Sequence, residues 1–249
     1  MKKAPRGLPR NGLPGNVQDS VYASLRKSII NLNLPPGTAV SENEISLKYR
    51  VSRTPIREAF IHLSREGLLQ VIPQRETLVS RIDYNRVEQE LFLRETLEMA
   101  VLRPFISRCK PRHIAALEEI VETQRRAAEN DEFVNFLNYD DAFHRVFFEA
   151  AGHDLGWKVL ESMCGHYHRV RLLTVLINGI ARNIVGQHTA IILAVKQKDL
   201  RNVRIHLNDH LHKINTEEKM LRERFPDYFL SAPEEDAFEV DFGGFPGLS

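Results

Sequence analysis

Residues 52–63 read SRTPIREAFIHL, and this stretch has the pattern of a helix with a marked beginning. Its apolar residues recur at the spacing of one helix face, namely at Ile56, Ala59, Phe60 and Leu63. Pro55 suits the first turn, because the backbone donor that proline lacks would have no partner there. Arg53 and Arg57 lie one turn apart on the opposite face, with Thr54 beside them. The stretch therefore predicts a surface helix whose first turns are positively charged.

The residues around this helix predict two helices before it and a hairpin after it. Apolar residues at helical spacing predict the first helix, namely Val21, Leu25, Ile29 and Leu32. Ser41 and Glu44 form the capping-box pattern of a short second helix, and Gly67 is a typical C-terminal cap of the third. Two β-prone runs, 69–72 and 77–80, flank the turn residues 73–76. This order predicts a winged helix-turn-helix domain over residues 17–82.

The chain after residue 83 has a different pattern. Long amphipathic helices follow one another with short breaks, which predicts an all-α helical bundle over residues 83–225. The Pro/Gly-rich residues 1–16 are expected to be a flexible basic arm, and residues 226–249 a flexible tail. The predicted fold class is therefore mainly α, with an N-terminal winged helix-turn-helix and a C-terminal helical bundle.

The charge of the chain is divided between these halves. The 249 residues carry a formal net charge of only +1. Residues 1–83 hold 13 Lys and Arg against 7 Asp and Glu, a net of +6, whereas residues 84–249 hold 21 against 26, a net of −5. Such asymmetry indicates a basic binding module joined to an acidic body. No apolar run reaches the roughly 18 to 20 residues of a membrane span, and the N-terminus has no signal-peptide pattern, so we expect a cytoplasmic protein without a membrane partner.

Arg53 and Arg57 suit the major groove of double-stranded DNA. An arginine binds the O6 and N7 atoms of guanine with two hydrogen bonds, or it binds a phosphate. The N-terminus of a helix also favours phosphate oxygens. The alternative interpretation is structural: Arg57 pairs with Glu58 or Glu66 on a solvated face.

A family resemblance favours the DNA interpretation. Residues 35–37 (PPG), 41–44 (SENE), 51–59 (VSRTPIREA), 63 and 66–68 (EGL) closely resemble the DNA-binding domain of GntR-family bacterial transcription regulators. The resemblance implies that five side chains contact operator DNA, namely Arg53, Thr54 and Arg57 of the third helix, Asn43 of the second and Arg75 of the wing. Two positions depart from the family pattern: Asn43 replaces a frequent arginine, and Glu76 follows Arg75 where glycine is usual.

Four polar residues of the second domain lie on or beside apolar helix faces. Asp140 and His144 share a face with phenylalanines, and His188 and His210 lie in line with Ile, Val and Leu residues of two later helices. A buried carboxylate costs several kcal/mol unless it is paired or bound to a metal. The four residues are therefore candidate metal ligands. The alternative is a hydrogen-bonded polar core, and neighbouring His206 and His212 leave the third histidine ligand open.

A second resemblance supports the metal interpretation. Residues 140–144 (DDAFH), 150–152 (AAG), 188, 191, 199 and 210–211 resemble the helical effector domain, called FCD, of the FadR subfamily, over about residues 84–225. Metal-binding members use one Asp and three His, which implies that Asp140, His144, His188 and His210 are the ligands here. This donor set suits Zn²⁺, Ni²⁺, Mn²⁺ or Fe²⁺.

Arg94 and Glu98 occupy the middle of another apolar stripe, between Leu91 and Val101. One interpretation is an internal salt bridge between residues four apart. The other, which the resemblance also suggests, is that Arg94 binds the carboxylate of an effector with two hydrogen bonds while Glu98 orients it.

The sequence thus predicts a homodimeric transcription regulator, expected to be a repressor, that binds an operator and senses a small organic acid near a divalent metal. Two alternatives remain. An Asp/His₃ centre also suits a metal-dependent enzyme, although no general base stands beside the ligands. The chain is alternatively a DNA-binding protein in which a metal serves folding only.

Overall fold

A computed structural model describes residues 17–176, 180–212 and 218–231, which form a small winged domain and a larger helical domain. The predicted arm at residues 1–16 and residues 232–249 of the predicted tail lie outside the described residues. None of the helices in these ranges combines the length and hydrophobicity that crossing a bilayer demands.

The N-terminal domain has the predicted order of elements. It contains α1 (Val17–Ile30), β1 (Ala39–Val40), α2 (Glu42–Tyr49), α3 (Arg53–Arg65), β2 (Leu69–Ile72) and β3 (Glu76–Val79). The backbone N–H of Glu44 donates to the Ser41 hydroxyl at 3.2 Å, which caps α2 as its sequence predicts. Gly67 follows α3 with φ of +74°, a conformation that ends a helix and strains other residues. The winged helix-turn-helix is confirmed.

The sheet differs from the prediction in two respects. Glu76 pairs with Ile72, so the hairpin turn has three residues rather than four, and Gln74 adopts φ of 59° within it. β1 adds a third, antiparallel strand beside β3, giving the order β1-β3-β2. A strand of two residues is too short for a recognisable alternation of apolar and polar side chains.

The C-terminal domain is helical throughout its described part. Its helices are α4 (Tyr84–Arg108), α5 (Pro111–Glu129), α6 (Phe133–Ala151), α7 (Asp154–Met163), α8 (Gly165–Val175), α9 (Ile180–Lys196), α10 (Leu200–His212) and α11 (Glu218–Arg224). Phenylalanine rings of α4 and α6 pack at its centre; the Phe105 and Phe147 ring centroids are 4.8 Å apart. Helix α8 is buried at every position except His168, because it lies between the other helices and the N-terminal domain.

Residues 226–231 do not form the start of a flexible tail, and this part of the prediction is wrong. A 3-10 turn at Pro226–Tyr228 leads to Phe229, which is buried and stacks on Tyr84 with ring centroids 5.4 Å apart. The N–H of Ile82 donates to the Tyr228 carbonyl at 2.7 Å, and the N–H of Leu230 donates to the Ile82 carbonyl at 2.9 Å. Residues 226–231 therefore pack against Ile82 and Tyr84, where the winged domain continues into α4.

The beginning of α8 joins the two domains. The backbone N–H of Asp83 donates to Nδ1 of His166 at 3.1 Å, so Nε2 of His166 carries the proton and donates to the Gly67 carbonyl, also at 3.1 Å. Burial lowers the pKa of His166 to about 3, which keeps the ring neutral. Buried Arg169 donates to the Ser80 carbonyl at 2.5 Å.

Gly165 permits this close approach of α8. A Cβ atom at its position would come within 2.9 Å of Cδ2 of Leu68. Such a distance is well inside van der Waals contact, so the packing of α8 against the winged domain requires glycine here.

Candidate metal centre and nucleic-acid interface

Four side chains from α6, α9 and α10 come together in the helical domain: Asp140, His144, His188 and His210. One ligand atom from each lies within 4.8 Å of all the others. The Nε2 atoms of His144 and His210 are 3.1 Å apart, and Nε2 of His188 is 3.4 Å from Oδ1 of Asp140. The structure thus brings together the four predicted ligand candidates.

The two other histidines of α10, His206 and His212, lie outside this cluster of candidate ligands. The ring of His212 is half exposed: its Nδ1 lies 3.1 Å from the Asn208 carbonyl, and its Nε2 lies 3.6 Å from the Glu95 carboxylate.

Each histidine of the centre has its other nitrogen occupied. Three acceptors lie near the Nδ1 atoms: Glu98 at 2.5 Å from His144, the Gln124 side-chain oxygen at 2.8 Å from His188, and the Gln187 side-chain oxygen at 3.1 Å from His210. Because carboxylate and amide oxygens accept hydrogen bonds, each of the three rings carries a proton on Nδ1. A neutral ring held in this way presents an unprotonated Nε2 to the other ligand atoms. Outer partners of this kind orient histidine ligands at metal centres.

The protonation states agree with this arrangement. Burial lowers the pKa of His188 to about 3 and holds the pKa of His210 well below its usual value. Burial opposes ionisation of Asp140, but Arg171 and the nearby imidazoles hold its pKa well below the usual range. Within the described residues, Nε2 of His188 has no hydrogen-bond partner although it is fully buried. A carboxylate and three imidazole nitrogens are a donor set that fits a divalent transition metal.

Arg94 and Glu98 form the salt bridge that one interpretation of the sequence predicts. Nε of Arg94 lies 2.6 Å from Oε1 of Glu98, while its Nη2 lies 3.7 Å from Oδ2 of Asp140. That Nη2 atom has no hydrogen-bond partner within the described part of the chain. Burial opposes ionisation of Glu98, but His144 and Arg94 lower its pKa to about 2. Glu98 therefore orients both Arg94 and His144, and Arg94 also faces the centre.

Arg171 is a charged residue of the centre that the sequence did not identify. Its Nη2 donates to Oδ2 of Asp140 at 2.5 Å, and its Nη1 donates to Oδ1 of Asp141 at 2.7 Å. The guanidinium carbons of Arg171 and Arg94 lie 5.7 Å and 5.4 Å from the centroid of the Tyr167 ring. The cavity that Asp140, Tyr167 and Arg171 line together with His210 has a volume of only about 30 Å³. Arg171 thus fills the space beside the Asp140 carboxylate.

The sequence contains only partial signals for Gln124 and Arg171, two residues of the centre that its motifs do not identify. Gln124 is a polar member of the otherwise apolar stripe of α5, formed with Leu117, Val121 and Ala127. Arg171 stands between the apolar residues Val170 and Leu172 of α8, where a charged side chain that becomes buried needs a partner. Neither signal identifies the partner, because both partners lie on other helices.

The predicted DNA-contacting residues of α3 lie on its exposed face. Arg53, Thr54 and Arg57 are exposed, whereas the apolar face of the same helix is buried. Among the described residues, neither arginine has an acidic group within ion-pair distance. Glu66, one candidate partner for Arg57, instead binds Arg26 at 2.7 Å. Arg57 therefore pairs with neither Glu58 nor Glu66 among the described residues, as the structural interpretation of the sequence would require.

The two remaining candidates are also exposed. Asn43 lies in the first turn of α2, and Arg75 lies in the hairpin turn next to Glu76. Contact of these two side chains with DNA stays a prediction.

The chain matches two family models. Residues 17–79 match the model described as bacterial regulatory proteins, gntR family, and residues 90–213 match the FCD domain. The HTH-type transcriptional repressor RspR of Escherichia coli K12 is 32% identical over 213 residues, which cover 86% of this chain and 93% of that protein. The gluconate operon transcriptional repressor of Bacillus subtilis 168 is 28% identical over 193 residues, covering 72% and 75%.

Solved structures show the same fold. The structure titled E. coli McbR/YncC has a TM-score of 0.71 at 17% identity and covers 85% of this chain and 99% of its own. A regulator from Rhodococcus sp. RHA1, described as a putative transcriptional regulator GntR, has a TM-score of 0.66 at 19% identity, covering 82% and 97%. These families consist of transcription regulators rather than enzymes. The chain belongs to the GntR family, with a C-terminal FCD domain, and is a DNA-binding transcriptional regulator.

Proposed function

We propose that the chain is a homodimeric repressor that leaves its operator when a small carboxylate binds beside a divalent metal in the FCD domain. The observation that carries this proposal is the convergence of three Nε2 atoms and the Asp140 carboxylate in a largely buried position. Two relatives are named repressors, which supports repression rather than activation.

DNA recognition is assigned to the exposed face of α3. The paired guanidinium groups of Arg53 and Arg57 suit guanine edges or phosphates in the major groove. A dimer of helix-turn-helix domains reads two half-sites about one helical turn apart, so we expect a palindromic operator.

The metal would be held by Asp140, His144, His188 and His210. When bound, it would supply positive charge to this buried carboxylate and a Lewis-acidic centre for an oxygen ligand. Glu98, Gln124 and Gln187 fix the three imidazole rings in the orientation that directs Nε2 inward. The chain therefore provides both the ligands and the groups that orient them.

Effector binding requires a rearrangement of Arg171. The cavity of about 30 Å³ is too small for an organic acid while Arg171 is bound to Asp140. We propose that the effector carboxylate takes the place of Asp140 as the partner of the Arg171 guanidinium, with Arg94 as a second donor. Arginine binds carboxylates with two parallel hydrogen bonds, which makes this exchange favourable in geometry.

Helix α8 connects this exchange to DNA binding. It carries Arg171 at the ligand centre, and it carries His166 and Arg169 at the contact with the winged domain. A movement of α8 that follows Arg171 would change the contacts with Gly67 and Ser80. A coupling free energy of about 1 to 3 kcal/mol changes operator affinity by about 5- to 150-fold.

The test is operator binding measured by fluorescence anisotropy, on DNA selected from a random-sequence pool, with the Zn²⁺-loaded protein. Acetate, citrate, gluconate and related small carboxylates are added singly. We expect at least one to weaken operator binding at least fivefold in the wild type. The same acid should have no effect on Arg171→Gln. Equal weakening of both proteins would contradict the assigned role of Arg171.

A further inference from the structure

A cleft of about 550 Å³ lies between the winged domain and the helical domain. Helix α1 forms one wall, and α6, α7 and α8 form the other. Six of its lining residues carry the argument: Tyr22, Lys27, Leu137, Lys158, His168 and Leu172. The volume falls within the range of roughly 300 to 1,000 Å³ that is common for small-molecule sites.

The cleft has an excess of positive charge. Its other charged groups have partners: Arg26 binds Glu66 at 2.7 Å, Asp141 binds Arg171 at 2.7 Å, and Glu161 binds Arg145 at 2.9 Å. Lys27 and Lys158 lie on opposite walls, and neither has an ion pair within the described ranges. Because the other charges cancel within their pairs, the two ammonium groups leave the cleft positive.

His168 adds a directed hydrogen-bond donor to the lining. Nη1 of Arg171 lies 3.0 Å from Nδ1 of His168. Arginine donates in every hydrogen bond, so Nδ1 accepts and the proton of the neutral ring is on Nε2. This N–H has no acceptor among the residues that the structure describes.

We propose that this cleft binds a small organic anion that has an apolar portion. Lys27 and Lys158 would attract its negative charge, and the His168 N–H would donate to one of its oxygens. Leu137 and Leu172 would contact its apolar part. The cleft is distinct from the space beside the candidate metal ligands, where about 30 Å³ leaves no room for such a molecule while Arg171 is bound to Asp140.

A bound anion would contact both domains, because α1 belongs to the winged domain. It would therefore stabilise the arrangement in which the two domains are docked. Arg171 donates hydrogen bonds both to His168, which lines the cleft, and to Asp140, a candidate metal ligand. Arg171 therefore connects the cleft to the candidate metal centre.

The test uses anilinonaphthalene sulfonate, an aromatic anion whose fluorescence rises in apolar surroundings, with the full-length protein. We expect saturable binding to the wild type and about tenfold weaker binding to the double variant Lys27→Gln/Lys158→Gln. Lys48→Gln/Lys219→Gln, which removes two exposed lysines that lie outside the cleft and have no ion pair among the described residues, is the matched control and should bind as the wild type does.

A second variant fills the cleft. Ala23 is an exposed α1 residue in the lining, so Ala23→Trp should be tolerated by the fold and should abolish probe binding. The probe should raise the melting temperature of the wild type but not that of Ala23→Trp. Unchanged probe affinity in both the double variant and Ala23→Trp would overturn the proposal. Metal content should be the same in all these proteins, which separates this result from the proposed metal centre.

Discussion

Nη2 of Arg171 lies 2.5 Å from Oδ2 of Asp140, so a guanidinium occupies one side of the carboxylate on which the candidate metal centre depends. Both groups are buried and both are charged. In the metal-free protein, Arg171 supplies the positive charge that stabilises Asp140. The first prediction follows from this relationship.

Arg171→Gln should destabilise the metal-free protein. Removing one partner of a buried ion pair typically costs about 3 to 5 kcal/mol, because the other charge is left buried without compensation. Added Zn²⁺ should recover part of this loss, so its effect on the melting temperature should be larger than in the wild type. The measurement is thermal unfolding with and without Zn²⁺. Arg171→Lys keeps the charge, so its Zn²⁺-induced rise in melting temperature should lie between those of the wild type and Arg171→Gln. Equal rises in all three proteins would contradict the prediction.

His210→Ala should lower bound metal, because it removes one of four converging ligands. The metal is measured by mass spectrometry after reconstitution and dialysis. His206→Ala, in the same helix but outside the cluster, is the matched control and should retain the wild-type metal content. A wild-type protein that binds no ion even after reconstitution would remove the basis of the metal proposal.

Arg57→Ala should weaken specific operator binding without affecting stability. One bidentate base contact contributes about 1 to 3 kcal/mol, and the proposed dimer would lose two of them. An exposed arginine without an ion pair contributes little to the fold, within about 0.5 kcal/mol. Anisotropy titrations and urea denaturation measure the two effects. Arg65→Ala, an exposed position at the other end of α3, should change operator affinity much less; equal losses would mean that general charge explains the effect.

The free energy of unfolding should decrease as the pH is lowered below 6.5, in part because of His166. Its pKa is about 6.5 in the unfolded chain and about 3 in the fold, because burial disfavours its charged form. The unfolded state therefore binds more protons as the pH falls from 6.5 to 3. The His166 contribution is fully present above pH 6.5 and is lost progressively below it, by up to about 1.4 kcal/mol per pH unit.

Urea denaturation of the wild type, His166→Gln and His153→Gln between pH 7 and pH 5 checks this prediction. His166→Gln should show a smaller loss of stability with falling pH than the wild type. His153 is exposed, so its replacement should leave the pH dependence unchanged. If the slope for His166→Gln matches that of the wild type, His166 is not a buried neutral histidine.

The sequence predicts those parts of the molecule that leave a periodic pattern. Asp140, His144, His188 and His210 lie on apolar stripes within their own helices, and the structure brings them together. Arg53 and Arg57 are exposed because the apolar residues of α3 define its buried face.

Other features depend on contacts between distant parts of the chain, which no local pattern contains. Arg171 finds Asp140 across a helix interface, 31 residues away. Phe229 falls in the predicted tail because the surrounding residues are rich in Pro and acidic groups, yet its ring packs on Tyr84. The β1 strand exists because β3 lies beside it.

The spacing of His166 and Arg171 along α8 sets the distance between the proposed effector site and the contact with the winged domain. His166 and Arg171 are five residues apart, so their backbones are separated by about 7.5 Å along the helix axis, at about 1.5 Å per residue. The proposed coupling would therefore need no chain of intermediate side chains between the two sites. Because a Cβ atom at position 165 would come within 2.9 Å of Leu68, a movement of α8 toward the winged domain, as the proposed effector exchange requires, would meet the Leu68 side chain just after the end of α3.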